Sequence, residues 1–366
     1  MDKKDNRAAS LERLRNKIDA VDAELVALLN RRANYAIEIA AIKRVANLPF
    51  HSPEREKAVL ERVSALNQGP FPSAALKIIF KEIISASLSL EEPLKVAYLG
   101  PEGTFTNLAA LRHFGFSARY IPFESIKSVF YAVERNEANY GLVPIENSNE
   151  GVVSSTLDMF MDYDLKISAE VLLEVSHNLL SLSGDSRKVK KIYSHPQAIS
   201  QCKGWLEAHM SNITIYESTS TSKAAEVASK DENAAAIASE MAARLYDLKF
   251  IARNIEDNKN NFTRFLVISK GYFSKTGNDK TSILLSVKDR PGALYEILLP
   301  FKRAKINLSN IESRPSKRKA WEYIFFIDME GHIDDRKIQK AVKEVKESCL
   351  YLKHLGSYPV GEKVER

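Results

Sequence analysis

Cysteine is scarce. The two present, Cys202 and Cys349, lie far apart and make no metal-ligand spacing, which excludes a disulfide scaffold and a zinc site. No apolar run approaches the roughly 20 residues a membrane helix needs. The opening Met1-Asp2-Lys3-Lys4-Asp5 leads into a charged segment rather than an apolar signal, so a cytoplasmic protein with no membrane partner is expected. Gly-x-Gly-x-x-Gly is missing, which removes the dinucleotide fingerprint, and no cofactor is expected. Lys and Arg outnumber Asp and Glu by 53 to 47, yet no basic run is dense or interleaved with aromatics. A nucleic-acid partner is therefore not indicated, and the mild positive balance suits small anionic substrates. At 366 residues the chain suits two or three domains.

What is there begins with a helix. Nothing breaks one over residues 8–45, where Leu11, Leu14, Ile18, Val21, Leu25, Leu28, Tyr35, Ile39 and Ile42 follow alternating three- and four-residue steps. Such a length argues for packing against a partner chain. Arg32 stands in that stripe where a leucine is expected, and Lys43, eleven residues on, shares nearly the same face. Either both cations snorkel out of the seam, or they reach inward to bind an anion, since a buried cation needs a counter-charge. Arg15 is about 25 Å from Arg32 along one helix, so both can touch one small ligand only if Arg15 comes from an antiparallel partner. Asn47-Leu48-Pro49 ends the helix. A second is expected to start at Pro53, with Ser52 as its cap, and a third to run over 73–90.

After Glu91-Glu92-Pro93 strands and helices alternate, which predicts an α/β region with a mostly parallel sheet. Its central stretch runs from Tyr140 to Gly151: an apolar strand, a polar turn at Glu146-Asn147-Ser148-Asn149-Glu150, then the helix from Ser154. The carboxyl end of a strand feeding a helix N-terminus is where small anions bind in open sheets. A β-prone run over 165–182 predicts a crossing into a second lobe, with one helix from Ser194-His195-Pro196-Gln197 to near His209. His195 reads equally as a helix cap or a site residue. The hydroxyl-dense turn at 217–222 opens another helix, and Asn260 to Ile268 closes the region. From Gly277 onward a βαββαβ order is expected, ending in a strand over 350–355; that fold hosts many functions.

Three resemblances follow from motifs. Leu14-Arg15-Asn16-Lys17-Ile18-Asp19, Leu28-Leu29-Asn30-Arg31-Arg32, Lys43 and Pro53-Glu54-Arg55-Glu56 resemble the all-α, intertwined-dimer class of chorismate mutase. The resemblance implies that Arg15 is donated by the partner and that Arg32, Lys43 and Arg55 bind the substrate carboxylates and ether oxygen. Glu56 would hold the substrate hydroxyl, with Ser87 near a carboxylate. Ser52 stands where the family often has aspartate. Glu91 stands where a glutamine commonly donates to the ether oxygen, so protonation of Glu91 is expected to matter. The catalytic set implied here is Lys43 and Glu91.

Gly100-Pro101-Glu102-Gly103-Thr104-Phe105, Val143-Pro144-Ile145-Glu146-Asn147-Ser148, Ser194-His195-Pro196-Gln197-Ala198 and Thr263-Arg264-Phe265 resemble prephenate dehydratase, two α/β lobes around a cleft. Thr263 would be the acid. Arg264 would pair with a substrate carboxylate or order the site, and Thr104, Glu146, Asn147, Ser148 and Ser220 would line the cleft. Gly292-Ala293-Leu294, Glu312-Ser313-Arg314-Pro315 and Trp321-Glu322-Tyr323 resemble the ACT regulatory domain. That likeness implies L-phenylalanine at Ala293, Leu294, Asn307, Leu308 and Ser309, supported by Glu312, Ser313, Arg314 and Pro315.

The expected organisation is a helical domain over 1–92, an α/β domain over 93–270 and an α+β ACT domain over 279–358. The expected function is conversion of chorismate to prephenate and then to phenylpyruvate, with feedback by L-phenylalanine, in a homodimer or larger homo-oligomer. The alternatives are a dehydratase whose helical domain only dimerises, supported by Ser52 and Glu91, and an amino-acid sensor without catalysis.

Overall fold

The computed structural model describes residues 3–46, 52–287, 290–315, 323–361 and 363–364, and for 3–9, Glu91 and 363–364 the backbone alone. Two units emerge, one of residues 1–94 with 114–118 and one of 95–113 with 119–366.

The first unit is three helices, α1 (Lys3–Val45), α2 (Pro53–Leu66) and α3 (Ser73–Glu91). The Ser52 hydroxyl accepts from the Arg55 backbone N–H at 3.4 Å, capping α2 with Pro53 at its first position. Asn67 ties the α2–α3 corner by donating from Nδ2 to the Phe71 carbonyl and to Ser73 Oγ, both at 2.8 Å. On α1 the apolar stripe stays open, with Leu14 56% and Ile18 60% exposed. The asparagine-leucine-proline stop expected at 47–49 lies outside the described residues.

The second unit runs β1 (Lys95–Leu99), α4 (Phe105–Phe114), β2 (Arg119–Phe123), α5 (Ile126–Glu134), β3 (Tyr140–Asn147), β4 (Gly151–Val152), α6 (Ser154–Asp162) and β5 (Lys166–Glu174). It crosses into β6 (Asn178–Ser181), β7 (Lys191–Ser194), α7 (Pro196–Gln201), α8 (Lys203–His209), β8 (Thr214–Glu217), α9 (Thr221–Ala228), β9 (Ala234–Ala238), α10 (Glu240–Leu245) and β10 (Lys249–Ala252). It returns through β11 (Phe262–Ser269) to β12 (Asp279–Val287), α11 (Ala293–Arg303), β13 (Leu308–Pro315), β14 (Tyr323–Glu330), α12 (Arg336–Ser348), β15 (Tyr351–Pro359) and β16 (Lys363–Val364).

Three sheets result, in the orders β16-β5-β11-β3-β1-β2 with β4 beside β3, β10-β6-β9-β7-β8, and β13-β14-β12-β15. The expectation of a mostly parallel sheet is corrected. β1 pairs in parallel with β2 and β3, but β11 enters from the second lobe and lies antiparallel between β3 and β5. A chain that leaves a lobe and returns to its middle arrives from the opposite end, and alternation in sequence does not reveal this.

Three local readings are also revised. The helix after His195 is two helices that meet at Cys202, α10 was not anticipated, and β15 runs on to Pro359. The strand opened by Tyr140 continues through Glu146 and Asn147, so the polar turn begins at Ser148.

The third sheet shares its core with the first lobe. On β12 and β14, Ile283, Leu285, Phe325 and Ile327 face α11 and α12, while Leu284, Ile324 and Phe326 join Phe130, Ile145 and Phe160. Strand alternation assigns one side of the sheet to its own helices and the other to the first lobe. β15 runs so close to β5 that a Cβ on Gly356 would stand 2.2 Å from the Ile167 carbonyl oxygen.

Candidate functional site

β11 and β3 are paired so that Thr263 is opposite Asn147 and Arg264 is opposite Glu146. Successive strand residues point to opposite faces, so each motif sends one side chain each way. Asn147 Nδ2 donates to Thr263 Oγ1 at 2.8 Å and to Asn261 Oδ1 at 3.0 Å. Asn147 Oδ1 accepts from the Asn149 backbone N–H at 3.0 Å, which fixes the direction of the amide. Asn261 Nδ2 donates in turn to Gln201 Oε1, on α7 of the second lobe, at 2.9 Å. Thr263 thus ends a chain of amides that reaches into the second lobe. Because its oxygen accepts from Asn147, its own O–H remains available to donate outward.

The lobes are also fastened at the turn after β1. Ser222 Oγ donates to the Glu102 carbonyl, and Ser239 Oγ donates to the Gly103 carbonyl at 2.9 Å. Gly103 has φ +81°, and a Cβ there would lie 2.8 Å from Ser222 Oγ, so the turn after β1 requires glycine. Thr104 caps α4, with Oγ1 donating to the Pro101 carbonyl at 2.9 Å and accepting from the Asn107 N–H at 3.3 Å. Ser220 caps α9. His195 caps α7 through Nδ1, accepting from the Gln197 N–H at 3.3 Å. The Ser148 hydroxyl accepts from the Phe262 N–H at 2.9 Å and donates to the Asn260 carbonyl at 3.1 Å, stitching β3 to β11.

Two residues expected at the site lie on the other face of the β3–β11 pair. Arg264 is buried on the opposite face of β11, with Nε 2.7 Å from Glu170 Oε2, Nη1 2.8 Å from Asp328 Oδ2 and Nη2 donating to the Tyr358 hydroxyl at 3.1 Å. Lys280 Nζ adds contacts of 2.8 and 2.9 Å to Glu170. A guanidinium so occupied is an ion-cluster member rather than a ligand for substrate. Burial alone would raise the Glu170 carboxyl, but Arg264 and Lys280 outweigh it and hold the pKa below the usual value. Glu146 shares the face of Arg264, and its charge, after burial, helps raise the Glu312 carboxyl of β13.

On β13, Glu312 and Arg314 turn toward the first lobe and help line a cavity of about 130 Å³ with Asp158 and Met161 of α6. Arg314 donates to the Ser154 carbonyl at the start of α6 and is 3.1 Å from Asp158. Ser309 and Ser313 are exposed on the alternate face. Gly292, at φ +82°, opens α11, with Ala293 half-buried and Leu294 exposed. Asn307 donates to Glu330 at 2.7 Å, and Leu308 is half-buried. Trp321 and Glu322 lie outside the described residues.

In the helical unit, Arg32 Nη1 donates to Ser87 Oγ at 2.5 Å, joining α1 to α3, and burial lowers the Arg32 pKa. Ser87 in turn donates to the Ile83 carbonyl at 2.7 Å. The Ser52 hydroxyl is spent on the α2 cap and on Glu54, to which it donates at 2.8 Å. Lys43 and Glu56 are half-buried, and Arg15 and Arg55 are exposed. The side chain of Glu91 lies outside the described residues.

Asn261, Gln201, Glu170, Lys280, Asp328 and Tyr358 were missed in the sequence. Asn261 had a signal, since it precedes Thr263 by two and so shares its strand face. Gln201 lies one helical turn after Gln197 but carries no signal of its own. The ionic residues come from four strands far apart in sequence.

Family models match residues 14–92 as Chorismate mutase type II, 96–272 as Prephenate dehydratase and 281–347 as ACT domain. The chain is 53% identical over 95% of its length to the bifunctional chorismate mutase/prephenate dehydratase of Aquifex aeolicus, covering 98% of that protein. It is 43% identical over 96% of its length to the bifunctional enzyme of Stutzerimonas stutzeri, again covering 98%. Among solved structures, prephenate dehydratase from Arthrobacter aurescens in complex with L-Phe matches 73% of this chain and 90% of its own, at 33% identity and a TM-score of 0.69. With a helical unit that joins Arg32 to Ser87 and a two-lobed α/β region in which Asn147 bonds the Thr263 hydroxyl, the chain belongs to the bifunctional chorismate mutase/prephenate dehydratase family.

Proposed function

We propose that Thr263 is the acid of the dehydratase step. The observation that carries this is the 2.8 Å hydrogen bond from Asn147 Nδ2 to Thr263 Oγ1. It leaves the threonine proton for the ring hydroxyl of prephenate and polarises the O–H bond. The hydroxyl takes that proton and leaves as water. The bond to the ring carboxylate breaks, its electron pair enters the ring, and carbon dioxide departs. Solvent returns the proton to Thr263, so one proton is consumed overall. The capped starts of α4 and α9, at Thr104 and Ser220, are the groups offered to the remaining carboxylate.

In the helical unit the substrate is bound by Arg32 with Ser87, Lys43, Arg55 and Glu56, and by Arg15 of the opposite protomer. Arg15 and Arg32 share one uninterrupted helix, which supports that division. The rearrangement requires only a fixed conformer and stabilised charge on the ether oxygen. The open apolar stripe of α1 supports a homodimer. The domain limits are 1–92, 93–270 and 279–358, and the chain works in the cytoplasm.

L-Phenylalanine binds the ACT domain beside Ala293, Leu294, Asn307, Leu308 and Ser309 and inhibits the dehydratase. Among the described residues the outer edge of β13 pairs with no strand, which supports a second ACT domain closing that site. The Arg314 contacts to α6 support a route from effector to cleft.

The test supplies chorismate and follows prephenate and then phenylpyruvate. Lys43→Ala is expected to remove the first step alone, and Thr263→Ala the second alone. Loss of both steps in either folded variant refutes two separate sites.

A further inference from the structure

His177 lies in the strand crossing between the two lobes, one residue before β6. It is 3% exposed, and its ring packs edge-on against Phe105 with centroids 5.5 Å apart. Its backbone is pinned on both sides: the N–H donates to Glu256 Oε2 at 2.8 Å, and the carbonyl accepts from the Ile255 N–H at 2.9 Å. Nε2 is 2.9 Å from Gln201 Oε1, while the buried Nδ1 has no partner among the described residues. An isolated buried polar atom is costly and needs a reason.

The direction of the neighbouring bonds supplies one. Gln201 Oε1 already accepts from Asn261 Nδ2, so His177 can only donate to it, and the proton must sit on Nε2. That leaves Nδ1 bare. Burial pulls the His177 pKa below the usual histidine value, outweighing the Gln201 bond and the Glu256 charge, so the ring stays neutral. Proton donations then start at Asn147 and at His177 and meet at Gln201. His177 and Asn261 donate to Gln201 Oε1, and Asn147 donates to Asn261 Oδ1 and to Thr263 Oγ1. Were the ring to carry its proton on Nδ1, two lone pairs would meet at Gln201. The glutamine would turn, its NH2 would face the NH2 of Asn261, and the conflict would pass to Asn147.

We propose that His177 is a positioning residue for the dehydratase reaction: its Nε2–H anchors the second-lobe end of the amide relay Gln201–Asn261–Asn147, keeping there the polarity that the Asn149 N–H fixes at Asn147, and so holds the Thr263 hydroxyl ready to donate. His177 touches neither substrate nor Thr263. Because Gln201 belongs to the second lobe and Thr263 to the first, the relay also makes the acid's orientation depend on the lobes being closed together. The inference rests on the reading of Thr263 as the acid.

The full chain is assayed with prephenate as His177→Phe, which keeps the packing but loses the donor, and as His177→Gln, whose Nε2 restores it. His177→Phe is expected to lower kcat about 10-fold, the worth of one neutral hydrogen bond near the top of its range, with KM changed less than about 2-fold. His177→Gln should recover kcat to within about 3-fold. Asn261→Asp reverses one link without changing shape, should lower kcat similarly, and carries the test if His177→Phe melts far below the parent. Unchanged kcat in both His177→Phe and Asn261→Asp overturns the proposal, as does a glutamine variant no better than the phenylalanine one. Thr263→Ala separates the two failures. If it keeps turnover, Thr263 is not the acid. If it loses turnover while His177→Phe and Asn261→Asp do not, only the relay is refuted.

Discussion

Replacing Arg264 with methionine tests whether this arginine serves the fold or the substrate. Its side chain is 9% exposed, and those of Glu170, Asp328 and Lys280 are 1%, 0% and 14% exposed. Two cations and two carboxylates balance in this cluster, with Tyr358 and Ser282 bonded to each other at 2.7 Å beside it. Methionine removes one positive charge and leaves Asp328 buried without its cation. Breaking a buried pair from one side costs about 3–5 kcal/mol. For a unit of this size each kcal/mol lowers Tm by about 2–4 °C, so a drop on the order of 6–20 °C is expected. Adding Asp328→Asn neutralises the remainder and should recover a good part of the loss. Thermal melting of the full chain measures both variants, and prephenate kinetics below the melting range separate the roles. An Arg264→Met variant that melts within 2 °C of the parent, or a double variant no more stable than the single, refutes the cluster as a stabilising unit. A raised KM at unchanged Tm would return Arg264 to the substrate.

Three further outcomes are expected. Burial, then the charges of Lys166 and His332, push the His354 pKa down to about 4. The unfolded chain therefore binds this proton first, and stability is lost as pH falls from about 6.5 toward 4, by up to about 3 kcal/mol; His354→Gln should flatten the Tm profile in that window, and an unaltered profile would exclude His354 as the cause. Gly103→Ala sets a Cβ against Ser222 in left-handed backbone and should cost about 1–3 kcal/mol, with reduced dehydratase turnover and intact mutase turnover. Arg314→Ala unties β13 from α6 and should raise the L-phenylalanine needed for half-inhibition several-fold while leaving uninhibited turnover within about 3-fold; unchanged inhibition would exclude that route.

Much of the architecture was legible because it is local. The stripe of α1, the Ser52-Pro53 start of α2, the crossing into a second lobe and the βαββαβ order are each written in neighbouring residues. The motifs singled out Thr263 and Asn147, and a 2.8 Å contact joins them. Arg264 and Glu146, from the same motifs, lie on the other face of the β3–β11 pair. A run such as Thr263-Arg264-Phe265 announces residue types, whereas burial and pairing determine which way each points.

The sequence by itself determined where most strands and helices lie, which family the motifs resemble, and that successive residues of β3 and β11 must face opposite ways. Which of the two faces is the cleft was decided only in the tertiary structure. Alternation has a period but no origin, and the origin is set when β11 returns antiparallel between β3 and β5 and the ACT sheet covers one side. That docking turns Arg264 and Glu146 toward the regulatory domain and leaves Thr263 and Asn147 on the other face.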